Sequence, residues 1–253
     1  MRIMTYNIWG DYFGNPCALR SSDIEETVRK YLPDVIGVQE ITGGWYDDGI
    51  FGRLSDKYTL VEGWKGNYTP LLFNKDAFDI KECGWELMEK TPDPSKSITW
   101  AVLCHKDTKE LLAVLCTHFW WMKRNDEDDE IRLANSEQLY MRMEALRERY
   151  GCKVFAFGDF NSHYNSNVMD YFRERGILSS VDIAEKYSGT SSNHGDPQKG
   201  EDGKYHGTKT ENSHIYSLDH IITYKDTKIT SQAIVEDREA LDSSDHSPVY
   251  IDF

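Results

Sequence analysis

The chain has 253 residues, with 29 Lys and Arg against 43 Asp and Glu and a formal charge of −14. That length suits one large α/β domain over 1–253, and no stretch approaches the roughly 18 apolar residues needed to span a bilayer. The acidic balance counts against a protein that coats nucleic acid, whose affinity comes from cationic contacts with phosphates, although a basic groove on an acidic molecule still allows a nuclease.

In chain order, the first predicted strand covers 2–8 and carries Asn7 near its end. Ser22 is placed to cap a helix in which Ile24, Val28, Tyr31 and Leu32 repeat at helical spacing, with Glu25 in the capping-box position. A strand over 34–39 runs directly into Glu40, and strands over 69–74 and 98–104 precede one over 111–117 that is followed by His118. The next segment, Phe119-Trp120-Trp121-Met122-Lys123-Arg124, turns from aromatic to basic. Three successive aromatic side chains cannot all face one core, so at least one is expected to be exposed or to line a pocket. The acidic run from Asp126 to Glu130 lacks the spacing of a calcium loop and is expected at the positive end of a helix over about 130–149, with Leu139, Met143 and Leu146 on one stripe.

The apolar run Val154-Phe155-Ala156-Phe157 reads as a buried strand closed off by Gly158-Asp159-Phe160-Asn161-Ser162. On an extended backbone Asp159 and Asn161, two apart, point to the same side; the competing reading is an Asp-Asn turn. A third helix is predicted over 166–175, and 188–214, rich in Gly, Ser, Asn and Lys, reads as a long loop of the kind that carries function. Two more strands, 218–224 and 247–252, are introduced by Asp219-His220 and Asp245-His246. Helix-connected strands mixed with hairpin-like pairs predict an α/β sandwich rather than an all-parallel sheet.

Each polar group at a strand end has an ordinary explanation alone: Asn7 as a turn residue, Glu40 as a solvated end, a histidine as a surface hydrogen-bonder. Together, Asn, Glu, Asp-x-Asn and Asp-His at successive strand ends form the oxygen-rich set that a hard divalent cation prefers.

The ordered set Thr5-Tyr6-Asn7, Val38-Gln39-Glu40, Thr117-His118, Gly158 to Ser162, Leu218-Asp219-His220 and Ser244 to Val249 resembles the endonuclease/exonuclease/phosphatase superfamily, which includes deoxyribonuclease I, exonuclease III, neutral sphingomyelinases and inositol polyphosphate 5-phosphatases. The resemblance implies a four-layer α/β sandwich of two mixed sheets with helices outside. It implies a metal set of Asn7, Glu40 and Asp245, Glu40 being the principal ligand and Mg²⁺ (or Mn²⁺) the occupant. It further implies that Asp159 activates water, Asn161 orients the nucleophile or the phosphate, His118 contacts phosphate, and His246 acts in catalysis with Asp219 orienting its imidazole. Trp120, Trp121 and the long loop, including His206, are expected to contact the substrate, because they emerge beside these groups.

Three functions follow as expectations. The first is a Mg²⁺-dependent phosphoesterase for a small, nucleotide or lipid-head-group substrate; next come a nuclease for DNA or RNA and a non-catalytic phosphate-binding module, the last of which is expected to lack a catalytic position. The five cysteines, odd in number and without close pairing, read as buried thiols of a reduced protein. With a strand starting so near Met1, a cytoplasmic location is expected, the sequon at Asn67-Tyr68-Thr69 matters only on a secretory route, and a monomer is expected.

Overall fold

The computed structural model describes residues 1–47, 50–61, 67–123 and 125–253, so Arg124 of the aromatic-to-basic segment lies outside the described residues. The first sheet draws on β1 (Arg2–Asn7), β2 (Val35–Gln39), β3 (Tyr58–Leu60) and β4 (Leu71–Asn74), with helices α1 (Ser21–Tyr31), α2 (Gly43–Asp47) and α3 (Ile50–Leu54) among them. The second draws on β5 (Phe78–Leu87), β6 (Ser97–His105), β7 (Leu111–His118), β8 (Lys153–Asp159) and β9 (Ile177–Ser179), with α4 (Asp126–Tyr150), α5 (Asn167–Arg173) and α6 (Ser180–Ile183). The remaining strands are β10 (Tyr187–Ser188), β11 (Gln198–Lys199), β12 (Tyr205–His206), β13 (Asp219–Tyr224), β14 (Ser231–Ile234) and β15 (Val249–Asp252), with α7 (Arg238–Ser243) before the last.

Two mixed sheets result, a seven-stranded one in the order β10-β14-β15-β1-β2-β4-β3 and a six-stranded one in the order β5-β6-β7-β8-β13-β9. Between them Ile3, Val35, Phe73, Leu103, Val114, Phe155, Phe157 and Ile251 form the central core. Leu139, Met143 and Leu146 of α4 and Phe172 of α5 cover the outer face of the second sheet, and Ile24 and Val28 of α1 with Ile50 and Leu54 of α3 cover that of the first. This is the four-layer arrangement, and it explains why β6, β7 and β8 are apolar on both faces. Gly37 lets the sheets close: a Cβ there would lie 2.4 Å from the Phe157 ring.

Differences from expectation have physical causes. Helix α4 starts at Asp126, where the Asn125 side chain accepts from the Asp128 amide and four acidic residues fill the first turn; it ends at Gly151 in the left-handed region. Ser22 does not cap α1, which begins at Ser21 without a side-chain cap; Glu25 pairs with Arg29 and Arg53 instead. Strand β5 lies at a sheet edge, exposed over Asp79, Ile80 and Lys81, only half-buried from Glu82 to Glu86 and shifted in register between Ile80 and Glu82, and so lacks a core strand's pattern. The 188–214 segment contains the β11–β12 pair. No disulfide links the five cysteines; Cys17 and Cys116 are buried as expected, whereas Cys83, Cys104 and Cys152 are only half-buried, and among the described residues no helix is long and apolar enough to cross a membrane.

Candidate active site

Register brings the polar strand ends together. Parallel pairing of β7 with β8 sets His118 opposite Asp159, and antiparallel pairing of β13 with β8 sets Asp219 opposite Asp159. One row of the second sheet therefore carries His118, Asp159 and Asp219. Gly158 permits this row, since with φ +150° a Cβ there would fall 1.9 Å from the Thr117 carbonyl oxygen. In the first sheet β1 and β2 run parallel and end together at Asn7 and Gln39, and antiparallel β15 starts beside the end of β1, with Asp245 and His246 just before it.

Asn7 links the two sheets, its amide nitrogen donating to Glu40 Oε1 and to Asp159 Oδ2, both at 3.0 Å. The other Glu40 oxygen accepts from the Gly10 amide at 2.9 Å. Glu40, Trp9 and Asn161 adopt positive φ (64°, 56° and 48°), a costly conformation for residues with side chains that often marks functional sites. Asn161 is thus not on extended backbone: its amide donates to Asp159 Oδ1 at 2.8 Å, and its side chain donates to the Phe119 carbonyl at 3.2 Å. The motif takes the Asp-Asn turn conformation.

His246 Nδ1 donates to Asp219 Oδ2 at 2.7 Å, while its Nε2 stands 4.0 Å from both Asp159 and Asp245 carboxylates. His118 Nε2 lies 3.4 Å from Asp159 Oδ2. Lys96, directly before β6 and only 4% exposed, brings its ammonium within 3.0 and 3.1 Å of the two His118 ring nitrogens. Sequence reasoning missed this lysine because a Lys at the head of an apolar run normally reaches into solvent.

Burial sets the protonation pattern, and neighbouring charges modify it. Asp159 is pushed up to about 7, mainly by burial, with Asp219 and Glu40 adding to the rise and His246 opposing it. Burial likewise raises Asp245 to about 6. His118 falls well below its ordinary value because it is buried and faces Lys96 and His246; burial also lowers Lys96, against the pull of Glu40 and Asp159. For His246, burial disfavours the charge, but the Asp219, Asp245 and Asp159 carboxylates outweigh it and hold the imidazole well above the usual range.

Could this set hold a metal? Ligand atoms of Glu40, His118 and Asp159 lie within 4.8 Å of one another, as do those of Asp159, Asp219 and His246. The second group is committed to the His246–Asp219 hydrogen bond. The first, with the Asn7 amide between its two carboxylates, fits a hard divalent cation, which would also relieve the crowding of negative charge around Asp159.

The proposed substrate wall does not form as expected. Trp120 is buried and its indole donates to Asp128 Oδ1 at 2.8 Å, so it packs beneath α4; Phe119 stacks on Phe160 in the core. Only Trp121, 54% exposed, is free to meet a ligand. His206 is engaged with Asp202 at 3.1 Å and lies 3.8 Å from Asp242, and among the described residues no ion pair or hydrogen bond joins it to His118, Asp159, Asp219 or His246.

These strand ends and their order define a protein class. The family model described as "Endonuclease/Exonuclease/phosphatase family" matches residues 4–246, and the chain belongs to that family. Its members are hydrolases acting on phosphoester bonds. Solved structures agree in fold. An endonuclease/exonuclease/phosphatase family protein from Bacteroides thetaiotaomicron is 19% identical with TM-score 0.80, covering 99% of this chain and 96% of its own. A mannosyl-6-phosphatase from the same species is 19% identical with TM-score 0.78, covering 100% and 98%. TDP2 from D. rerio, complexed with single-strand DNA product, is 16% identical with TM-score 0.69, covering 99% and 97%. No curated protein sequence matches the chain.

Proposed function

We propose that the chain is a Mg²⁺-dependent phosphoesterase that hydrolyses a small phosphorylated substrate by attack of water on phosphorus. The observation that carries this reading is Lys96: a buried ammonium set against His118, 3.4 Å from which stands the Asp159 carboxylate. Buried cations are normally paired, and a phosphate placed between Lys96, His118 and His246 would add a direct anionic partner to the pull of Glu40 and Asp159 while its other side faces Glu40, Asn7 and Asp245. Glu40, the member shared with the Glu40–His118–Asp159 cluster, would hold the ion together with Asn7 and Asp245, and the ion when bound would neutralise phosphate charge and the leaving oxygen.

The protein groups have complementary tasks. Asp159, titrating near neutrality, is suited to take a proton from the attacking water. The His118 imidazole, kept neutral, donates one N–H to a phosphate oxygen without adding charge. The His246 imidazolium, held by Asp219, stabilises charge that develops on the phosphoryl oxygens. Asn161 fixes Asp159 through its backbone amide.

The fold relation to a mannosyl-6-phosphatase supports a sugar phosphate as the first substrate to try, and the relation to TDP2 with DNA product keeps nucleic acid as the second reading, disfavoured by the charge of −14. A panel of hexose phosphates, nucleotides, lipid-head-group phosphodiesters and a DNA oligonucleotide, each assayed with Mg²⁺, Mn²⁺, Ca²⁺ and chelator, tests the proposal. Turnover of a small ester that chelator abolishes is expected; turnover of the oligonucleotide alone, or activity indifferent to chelator, contradicts it.

A further inference from the structure

We propose that Ser192 is a positioning residue that fixes the Asp219 carboxylate and, through it, His246; the inference rests on the phosphoesterase reading. Ser192 is fully buried in the segment before β11. Its Oγ accepts from the Asp219 and Leu218 amides at 3.2 and 3.3 Å and donates to Asp219 Oδ2 at 2.7 Å. A hydroxyl has two acceptor sites and one donor. With both lone pairs occupied by backbone N–H groups, the hydroxyl hydrogen has one destination, the oxygen that also receives His246 Nδ1.

Asp219 depends on that contact. Among the described residues its second oxygen, Oδ1, is buried without a hydrogen-bond partner, so Ser192 and His246 supply its side-chain hydrogen bonds, and both meet at Oδ2. Ser192 is itself held from both sides. Its amide donates to Ser217 Oγ at 3.0 Å, its carbonyl accepts from the Ser247 amide at 2.6 Å, and its neighbour Asn193 bridges to His246. One serine therefore ties the start of β13 to the segment carrying His246 and, together with His246, sets the rotation of the Asp219 carboxylate. It touches neither the reacting atoms nor any group assigned to the ion. Sequence reading passed it over because Ser191-Ser192 inside a Gly- and Ser-rich stretch looks like loop composition.

The test uses the full chain with a chromogenic nitrophenyl phosphoester at saturating Mg²⁺. Ser192→Ala is expected to lower kcat about 10- to 100-fold, the worth of one hydrogen bond to a charged group, with KM nearly unchanged and Tm modestly lowered by the Leu218 and Asp219 amides that lose this acceptor. Ser192→Thr, which keeps the hydroxyl, is expected to restore most of kcat. Ser192→Ala/Asp219→Asn is expected to be no slower than Asp219→Asn alone, because the serine acts only through the aspartate. A hydrogen-bonded His246 Nδ1 proton resonance, visible in the wild type, is expected to broaden or move upfield in Ser192→Ala and to recover in Ser192→Thr. Full kcat and an unmoved resonance in Ser192→Ala would overturn the proposal, as would a double variant slower than Asp219→Asn by the full single-variant factor. If Ser192→Ala lowers Tm sharply, failure of Ser192→Thr to recover kcat at regained stability also overturns it. Should the wild type hydrolyse no phosphoester, the functional reading fails, and the resonance still decides the role of Ser192.

Discussion

The two halves of the site are built by different means. The histidine half, from the second sheet, is placed by register: His118, Asp159 and Asp219 occupy one row of hydrogen-bonded strands, and His246 docks on Asp219. The half that fits a metal sits just past the ends of β1 and β2, where Glu40 and Trp9 take positive φ and the Gly10 amide and the Asn7 amide fix the glutamate. Rigid rows hold proton-handling groups to fixed distances, whereas irregular strand ends let a side chain turn toward a ligand that approaches from outside. Asn7 joins the halves through its bonds to Glu40 and Asp159.

The comparison can be broken most forcefully at Asp219. Asp219→Asn keeps shape but favours the wrong His246 tautomer, and turnover is expected to fall by up to about 10⁴-fold, the loss seen for an analogous change in an unrelated triad. Steady-state kinetics at saturating Mg²⁺ check this, and Tm should barely move.

Packing sharpens the boundary between site and core. Trp120→Ala is expected to cost about 3–5 kcal/mol of stability, since its indole is buried on Asp128. Trp121→Ala is expected to leave Tm almost unchanged while raising KM for the true substrate alone. Denaturant melts and KM values on two substrates separate them, and equal losses of stability in both would contradict the assignment.

A smaller effect concerns acid stability. His220, next to Asp219, is buried, donates Nε2–H to the Ser162 carbonyl at 2.8 Å and is lowered to about 4, chiefly by burial. The unfolded chain, with its histidine near 6.5, binds the extra proton throughout the window from about 6.5 down to about 4. Stability contributed by the neutral imidazole is therefore full above that window and declines as pH falls through it, by up to about 3 kcal/mol. His220→Gln should flatten the decline in denaturant midpoints between pH 7 and pH 4; an unchanged slope would remove His220 as its source.

The strand ends were legible in the sequence because a polar residue that closes an apolar run stands out: Asn7, Glu40, His118, Asp159, Asp219 and Asp245-His246 all lie where that pattern puts them. Family resemblance supplied the four-layer order, which spacing alone did not. Lys96 was hidden because burying an ammonium depends on His118 and Asp159, remote in sequence. Ser192 was hidden by loop-like composition. The aromatic run announced that one ring faces outward, but which one depends on α4 starting at Asp126 and bringing Asp128 under Trp120. Edge strand β5 and the six-residue α7 bury too little to leave a periodic signature.

The division of labour between the halves is tested most directly by titrating Mn²⁺ into the wild type, Glu40→Gln and Asp219→Asn and reading bound ion by calorimetry or paramagnetic resonance. Tight binding is expected in the wild type and in Asp219→Asn, with affinity lowered at least about tenfold in Glu40→Gln, the loss of one charged ligand. Unchanged Mn²⁺ affinity in Glu40→Gln together with its loss in Asp219→Asn would contradict the account.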